Sequence, residues 1–182
     1  MPLTLLLGGA RSGKSRLAVR LAAAWGGKVV VVATGEARDE EMAERIRRHR
    51  AERPPEWATV EEPLDLEGGL AGVPEEACAL VDCLTLWVSN LLERSLSDVE
   101  IEDRARKAAA MAASRAAETL AVTNEVGSGV VPVSALARRY ADLLGRVNAI
   151  WAEAADRALL VVAGRVLPLD TPAAIVGAFG GD

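Results

Sequence analysis

The octapeptide Gly8-Gly9-Ala10-Arg11-Ser12-Gly13-Lys14-Ser15 fits the phosphate-binding pattern G-x-x-x-x-G-K-[ST], and it constrains the fold more than any other stretch of the chain. Such a loop works only between a strand and a helix. The apolar run Leu3 to Leu7 predicts the strand leading in, and Lys14 to Ala24 predicts the helix leading out. Glycines at 8, 9 and 13 release the backbone so that successive N–H groups, Ala10 to Ser12 included, can turn inward on a phosphate at the positive helix end. Lys14 is then placed to reach the β- and γ-phosphates, and the Ser15 hydroxyl to ligate Mg²⁺.

The rest of the chain agrees with an α/β fold. Apolar runs at Val29 to Ala33, Ala58 to Glu61, Ala77 to Asp82, Thr119 to Thr123 and Leu159 to Ala163 predict further strands. Helical patterns at Asp39 to Glu52, Leu84 to Glu93, Val99 to Ala117 and Ser134 to Ala155 alternate with them, as expected for a parallel sheet covered on both faces. Gly145 interrupts the last helix, which points to close packing or a bend. With 182 residues and 51% hydrophobic content, one core is the expectation: a catalytic domain over residues 1–170 and a flexible tail over 171–182.

A net charge of -5 disfavours a general nucleic-acid binder. No stretch approaches the roughly 20 apolar residues of a membrane span, and no signal segment is evident at the start, so a cytoplasmic enzyme is expected. Lysine occurs only at 14, 28 and 107, which sets the loop lysine apart. Cys78 and Cys83 read as buried free thiols, because one histidine and two cysteines are too few for a four-ligand zinc site.

Several further positions carry possible chemistry. The run Ala77 to Asp82 reads as a central strand buried on both faces and ending in a carboxylate, where P-loop proteins place an acidic residue that holds Mg²⁺. His49 is the sole imidazole. It follows Met42 and Ile46 at i, i+4, i+7, so periodicity alone makes it a core histidine. Pro54 and Pro55 nevertheless end its helix close by, near a rim where a ligand could reach, and Arg45, Arg47, Arg48, Arg50 and Arg53 crowd the same end, so two details pull against the core reading. Thr123-Asn124-Glu125 leaves a strand on the ligand-binding edge, although the glycines after it could mark only a turn. Arg138, Arg139, Asp142 and Arg146 suit either a substrate phosphate or surface ion pairs.

Several ordered motifs occur together: the loop at 8–15, Ala33-Thr34, Asp39-Glu40-Glu41-Met42, Arg45-Ile46-x-x-His49-Arg50-x-x-Arg53-Pro54-x-x-Trp57 and Val81-Asp82-Cys83-Leu84-Thr85-Leu86-Trp87. With Val122 to Pro132 and Gly145-Arg146-Val147-Asn148, they resemble the bifunctional adenosylcobinamide kinase/adenosylcobinamide-phosphate guanylyltransferases over residues 4 to 169. That resemblance implies a RecA-like P-loop NTPase fold, with a mostly parallel central sheet flanked by helices, in a homotrimer. It implies two reactions: phosphorylation of adenosylcobinamide by ATP or GTP, then transfer of GMP from GTP to adenosylcobinamide phosphate, releasing pyrophosphate. By the same likeness His49 is the guanylylated residue and Lys14 acts on the phosphates. Nucleotide contacts fall on Gly8, Gly9, Ala10, Arg11, Ser12, Gly13, Lys14, Ser15, Ala33, Thr34, Gly35, Arg50, Ala51, Glu52, Arg53, Glu61 and Asp82, and Mg²⁺ on Ser15 and Asp82. Ala141 and Ala149 depart from the polar residues expected beside Arg138 to Asn148. A plain P-loop kinase would need Lys14, Ser15 and Asp82 but no nucleophilic histidine. A guanine-nucleotide switch is disfavoured because Thr123-Asn124-Glu125-Val126 is not N-K-x-D.

Overall fold

The computed structural model describes residues 2–179. Seven strands form one sheet in the order β3-β2-β4-β5-β1-β6-β7, comprising β1 (Leu3–Leu7), β2 (Val29–Ala33), β3 (Ala58–Glu61), β4 (Cys78–Asp82), β5 (Thr119–Val122), β6 (Arg157–Val162) and β7 (Arg165–Leu169). All neighbours run parallel except β6 and β7, which form an antiparallel hairpin. The inner strands are mostly apolar because both of their faces are covered.

On one face α1 (Lys14–Ala24) presents Ala18 and Ala22 to Leu6, Val31, Leu80 and Leu120. The opposite face carries α3 (Leu66–Ala71), α4 (Leu84–Glu93), α5 (Asp98–Ser114) and α6 (Ala135–Ala154), packed on Leu5, Val32, Ala79 and Ala121. Trp87 and Trp151 are fully buried there, as packing residues. Helix α5 lies close by means of an alanine stripe (Ala105, Ala108, Ala109, Ala112) and starts with a Ser97/Glu100 capping box. Arg115 follows it, buried, with its guanidinium donating to the carbonyls of Leu70, Val73, Pro74 and Ala77. These bonds tie the ends of α3 and α5 to the start of β4.

Three elements depart from the sequence reading. Helix α3 contains Gly68 and Gly69, poor helix formers, and is started by Asp65, whose carboxylate accepts from Gly68 N at 3.0 Å. Strand β7 is exposed along its length and contains Pro168, which an edge strand tolerates. The segment expected as a tail carries α7 (Pro172–Phe179), with proline at its first position and the Thr171 hydroxyl accepting from Ala174 N; residues 180–182 lie outside the described residues. Gly145 marks no close packing: α6 runs unbroken through it, and a Cβ there would meet nothing within 4 Å.

Candidate active site

The glycine-rich loop joins β1 to α1 as expected, and its glycines are required at two points. A Cβ on Gly8 would lie 2.5 Å from the Val161 carbonyl, and Gly13, the N-cap of α1, has φ 101. Between them Ser12 N donates to Gly9 O at 3.2 Å, closing a turn in which Arg11 has φ 58. The Lys14 ammonium folds back over this turn and donates to Gly9 O at 3.1 Å. Burial lowers the Lys14 pKa, against the opposing pull of nearby Cys83 and Asp82.

The strand register then delivers the other groups. Glu61, Ala33, Asp82, Val122 and Leu6 occupy one row across β3, β2, β4, β5 and β1, at the carboxyl edge where open α/β sheets bind ligands. Glu61, Ala33, Asp82 and Val122 line a cleft of about 220 Å³ together with Lys14 and Ser15. Thr34 does not line it. Its hydroxyl donates to Cys83 O at 2.7 Å and accepts from Cys83 N at 2.8 Å, so the side chain staples the end of β2 to the β4–α4 turn. Cys83 is held there with its thiol pKa pushed up to about 11 by burial, and burial takes the Cys78 thiol up to about 12. Both are free thiols, as expected.

Helix α2 (Glu40–Ala51) forms the far wall. Asp39 caps it by accepting from Met42 N at 2.7 Å, and the acidic first turn and the Arg48-His49-Arg50 last turn both suit the helix dipole. None of its residues is buried. The Met42-Ile46-His49 face that periodicity assigns to the core lines the cleft instead, because α2 leans over the sheet edge rather than onto a sheet face. His49 Nδ1 lies 3.7 Å from Asp82 Oδ2, an approach longer than a hydrogen bond. Arg53, just past the helix, donates to the same oxygen at 2.6 Å, and both side chains of this pair are largely buried (10% and 14% exposed). Burial alone would raise the Asp82 pKa; His49 and Arg53 outweigh it and hold the carboxyl below its ordinary value. Arg50 and Glu61 approach only to 3.7 Å with both side chains mostly exposed, a weak pair.

Of the residues expected at the nucleotide, Lys14, Ser15, Ala33, Gly35, His49, Arg50, Arg53, Glu61 and Asp82 converge on this cleft, with the 8–13 loop beside it. Ala51 and Thr34 do not reach it, and Glu52 borders only a small crevice behind His49. Arg45 and Thr85, named in sequence only as members of longer motifs, line the cleft as well, and so does Thr59, which only a three-dimensional register could have selected. Asn124 lines it too, which favours the functional side of the Thr123-Asn124-Glu125 reading. A polar chain fixes it: Thr123 Oγ1 donates to Asn148 Oδ1 at 2.7 Å, Asn148 Nδ2 to Asn124 O at 3.0 Å, and Asn124 N to Thr85 Oγ1 at 2.7 Å. Arg139 and Arg146 instead pair with Asp98 and Glu102 between α5 and α6, and Arg138 donates to the Pro132 and Val133 carbonyls.

The donor set suits a hard cation shared with phosphates. Ser15 and Asp82 offer a hydroxyl and a carboxylate on one cleft, and no cluster of three or more His, Cys, Asp or Glu side chains able to hold a metal occurs among the described residues. Mg²⁺ is commonly bound by one or two protein oxygens plus substrate phosphates, so these residues fit it.

Comparison with known proteins bears on this site. The profile of a family described as cobinamide kinase / cobinamide phosphate guanyltransferase matches residues 4–169. The bifunctional adenosylcobalamin biosynthesis protein CobP of Pseudomonas aeruginosa is 47% identical over 167 residues, covering 91% of this chain and 95% of the relative. The bifunctional adenosylcobalamin biosynthesis protein CobU of Escherichia coli is 40% identical over 173 residues, 88% of this chain and 95% of its own. Among solved structures, an ATPase of a bacterial type III secretion system superposes with TM-score 0.53 at 12% identity, over 98% of this chain and 61% of that one. A KaiC-like protein of Pyrococcus horikoshii does so with TM-score 0.50 at 16% identity, over 87% and 70%. These structural likenesses identify a P-loop NTPase fold.

Proposed function

The chain belongs to the cobinamide kinase / cobinamide phosphate guanyltransferase family, and on that premise we propose that its single cleft carries out both transfers, the second through a guanylylated His49. It is an enzyme of adenosylcobalamin assembly with a nucleotide-using P-loop fold. One observation carries the finer reading: the sole imidazole opens onto the same cleft as Lys14 and Ser15, with Nδ1 turned toward Asp82.

In the kinase step the aminopropanol hydroxyl oxygen of adenosylcobinamide forms a bond to the γ-phosphorus of a nucleoside triphosphate held by Lys14 and the loop amides as the bond to the β-phosphate oxygen breaks, so that the nucleoside diphosphate leaves and the hydroxyl proton passes to solvent. Catalysis there is mainly positioning and charge stabilisation. Mg²⁺, held by Ser15 and Asp82 with the phosphates, supplies charge neutralisation. For guanylyl transfer, shortening of the 3.7 Å approach between His49 Nδ1 and Asp82 Oδ2 to a hydrogen bond would hold the proton on Nδ1 and leave the Nε2 lone pair as nucleophile. Nε2 forms a bond to the α-phosphorus of GTP as the bond to pyrophosphate breaks, and the resulting positive ring is stabilised by Asp82. The phosphate oxygen of adenosylcobinamide phosphate then attacks that phosphorus, and His49 leaves as a neutral imidazole. Arg50 and Arg53 offset the accumulating negative charge.

The cleft, at about 220 Å³, is smaller than the roughly 300–1,000 Å³ of typical ligand pockets. Helix α2, which buries none of its residues, is the wall that must move to admit a nucleotide and then present His49 to the α- rather than the γ-phosphorus. Residues 1–170 act as one catalytic domain in this reading. Association into a homotrimer also belongs to it, supported by apolar side chains exposed along the β6–β7 hairpin and α7: Val162, Val166, Leu167, Leu169, Ile175 and Val176. Among the described residues no helix is long and apolar enough to cross a membrane.

The test is to supply purified protein with adenosylcobinamide, GTP and Mg²⁺ and to follow products by mass spectrometry. The phosphate ester should appear first, then adenosylcobinamide-GDP with one pyrophosphate for each. Accumulation of the ester alone would reduce the protein to a kinase.

A further inference from the structure

The tip of the β6–β7 hairpin touches the glycine-rich loop at two places. The Val161 carbonyl closes against Gly8, where a Cβ would come within 2.5 Å. Beyond it, Gly164 N donates to the Ser12 carbonyl at 2.8 Å, and a Cβ on Gly13 would lie 3.4 Å from the Gly164 Cα. The turn that makes this contact has two successive residues in left-handed conformation, Ala163 at φ 49 and Gly164 at φ 73.

The contact has a directional consequence. In a trans peptide the C=O of one residue and the N–H of the next lie in one rigid plane and point in opposite directions. The Ser12–Gly13 peptide is trans, since the cis bond among the described residues is Asp82–Cys83. Fixing the Ser12 carbonyl outward on Gly164 therefore aims the Gly13 N–H inward, toward the hollow of the loop beside Lys14. Nothing else in the described structure holds that carbonyl by a backbone hydrogen bond. The Ser12 hydroxyl is buried without a partner, so the side chain supplies no alternative restraint.

We propose that Gly164, at the tip of the β6–β7 hairpin, is a positioning residue for phosphate binding: its N–H locks the Ser12–Gly13 peptide so that the Gly13 amide is preset toward the nucleotide phosphates. The inference rests on the nucleotide reading of the cleft. It assigns a role to a hairpin that lies outside the loop motif and supplies no side chain to the cleft.

Substitution separates this role from ordinary stability. No atom lies within 4 Å of a Cβ built on Gly164, so a side chain fits there and only backbone conformation is at issue. Valine resists φ near +73 and must shift the N–H, whereas asparagine tolerates the left-handed region and keeps it. Gly26, with φ 77 and equally open surroundings, provides a control of matched strain at the opposite end of α1, about 16 Å from the loop. The readout is the Kd for GDP with Mg²⁺, measured by calorimetry, alongside the melting temperature. Gly164→Val should weaken binding about tenfold, equal to about 1.4 kcal/mol at 25 °C, while Gly164→Asn and Gly26→Val stay within about threefold of the parent. Both valine variants should melt earlier.

Unchanged affinity in Gly164→Val, or a loss as large in Gly164→Asn, would overturn the proposal while leaving the nucleotide reading intact. Failure of the parent protein to bind GDP would overturn both. Should Gly164→Val not fold, amide exchange in the parent decides: Gly164 N–H should be protected before nucleotide is added, and exchange at the unprotected rate would refute the lock.

Discussion

Replacing Asp82 by Asn removes one negative charge and little volume, and the structure specifies its effect. The carboxylate is held by a 2.6 Å bond from Arg53 in largely buried surroundings, with His49 Nδ1 at 3.7 Å. A hydrogen bond to a charged group contributes about 1.5–3 kcal/mol, and since Asn keeps an oxygen for Arg53 the loss should lie near 2 kcal/mol. The sign follows from the pKa. Burial by itself would make removal of the charge favourable, but His49 and Arg53 reverse this and hold the Asp82 carboxyl below its ordinary value. A carboxylate whose folded pKa is depressed contributes stability that is complete above its unfolded pKa of about 3.9 and is lost as pH falls through the lower folded value. Urea unfolding at neutral pH should thus place Asp82→Asn about 2 kcal/mol below the parent, or about 4–8 °C in Tm for a chain of this size. The gap should close as the pH is lowered through the acid range. A gap independent of pH, or an Asn variant more stable than the parent at neutral pH, would refute the balance of charges assigned to the site.

Three further outcomes follow from the same geometry. Lys14→Ala should impair both the kinase and the guanylyl-transfer rates, since each begins with the same triphosphate; unchanged nucleotide affinity and rates would contradict one shared site. Thr34→Val should cost about 1–3 kcal/mol in denaturant unfolding, because it leaves the Cys83 N–H and carbonyl without the hydroxyl that serves both. His49→Asn should abolish GMP transfer yet keep measurable adenosylcobinamide phosphorylation, and parallel loss of both in a folded variant that still binds nucleotide would contradict the division of labour.

The glycine-rich loop and its flanks were legible because their boundaries are set by local chemistry. The apolar run stops at Leu7, glycine must stand where φ is positive, and Lys14 opens the helix as the motif requires. Asp82 was legible as the polar end of a buried run. Its partnership with Arg53, which is 29 residues away in the chain, was not, because it depends on α2 crossing the sheet edge. Thr34 shows the opposite case. Its place in a matching motif suggested a ligand contact, but only the β2–β4 register reveals that its hydroxyl is committed to the backbone of Cys83. Strand β7 and helix α3 escaped detection since proline in one and paired glycines in the other erase the local signal, and tertiary contacts form these elements regardless. His49 illustrates the limit of periodicity: a helix face patterned for burial can equally be buried against a ligand cleft.

The central claim is a covalent bond between His49 and GMP, and the most direct measurement of it is transfer of label from α-labelled GTP to the protein. With Mg²⁺ present and no corrinoid added, the account predicts acid-labile, base-stable label that maps to the peptide containing His49, is discharged by adenosylcobinamide phosphate, and is absent from His49→Ala. Label on any other residue, or GMP transfer that survives in His49→Ala, would contradict it.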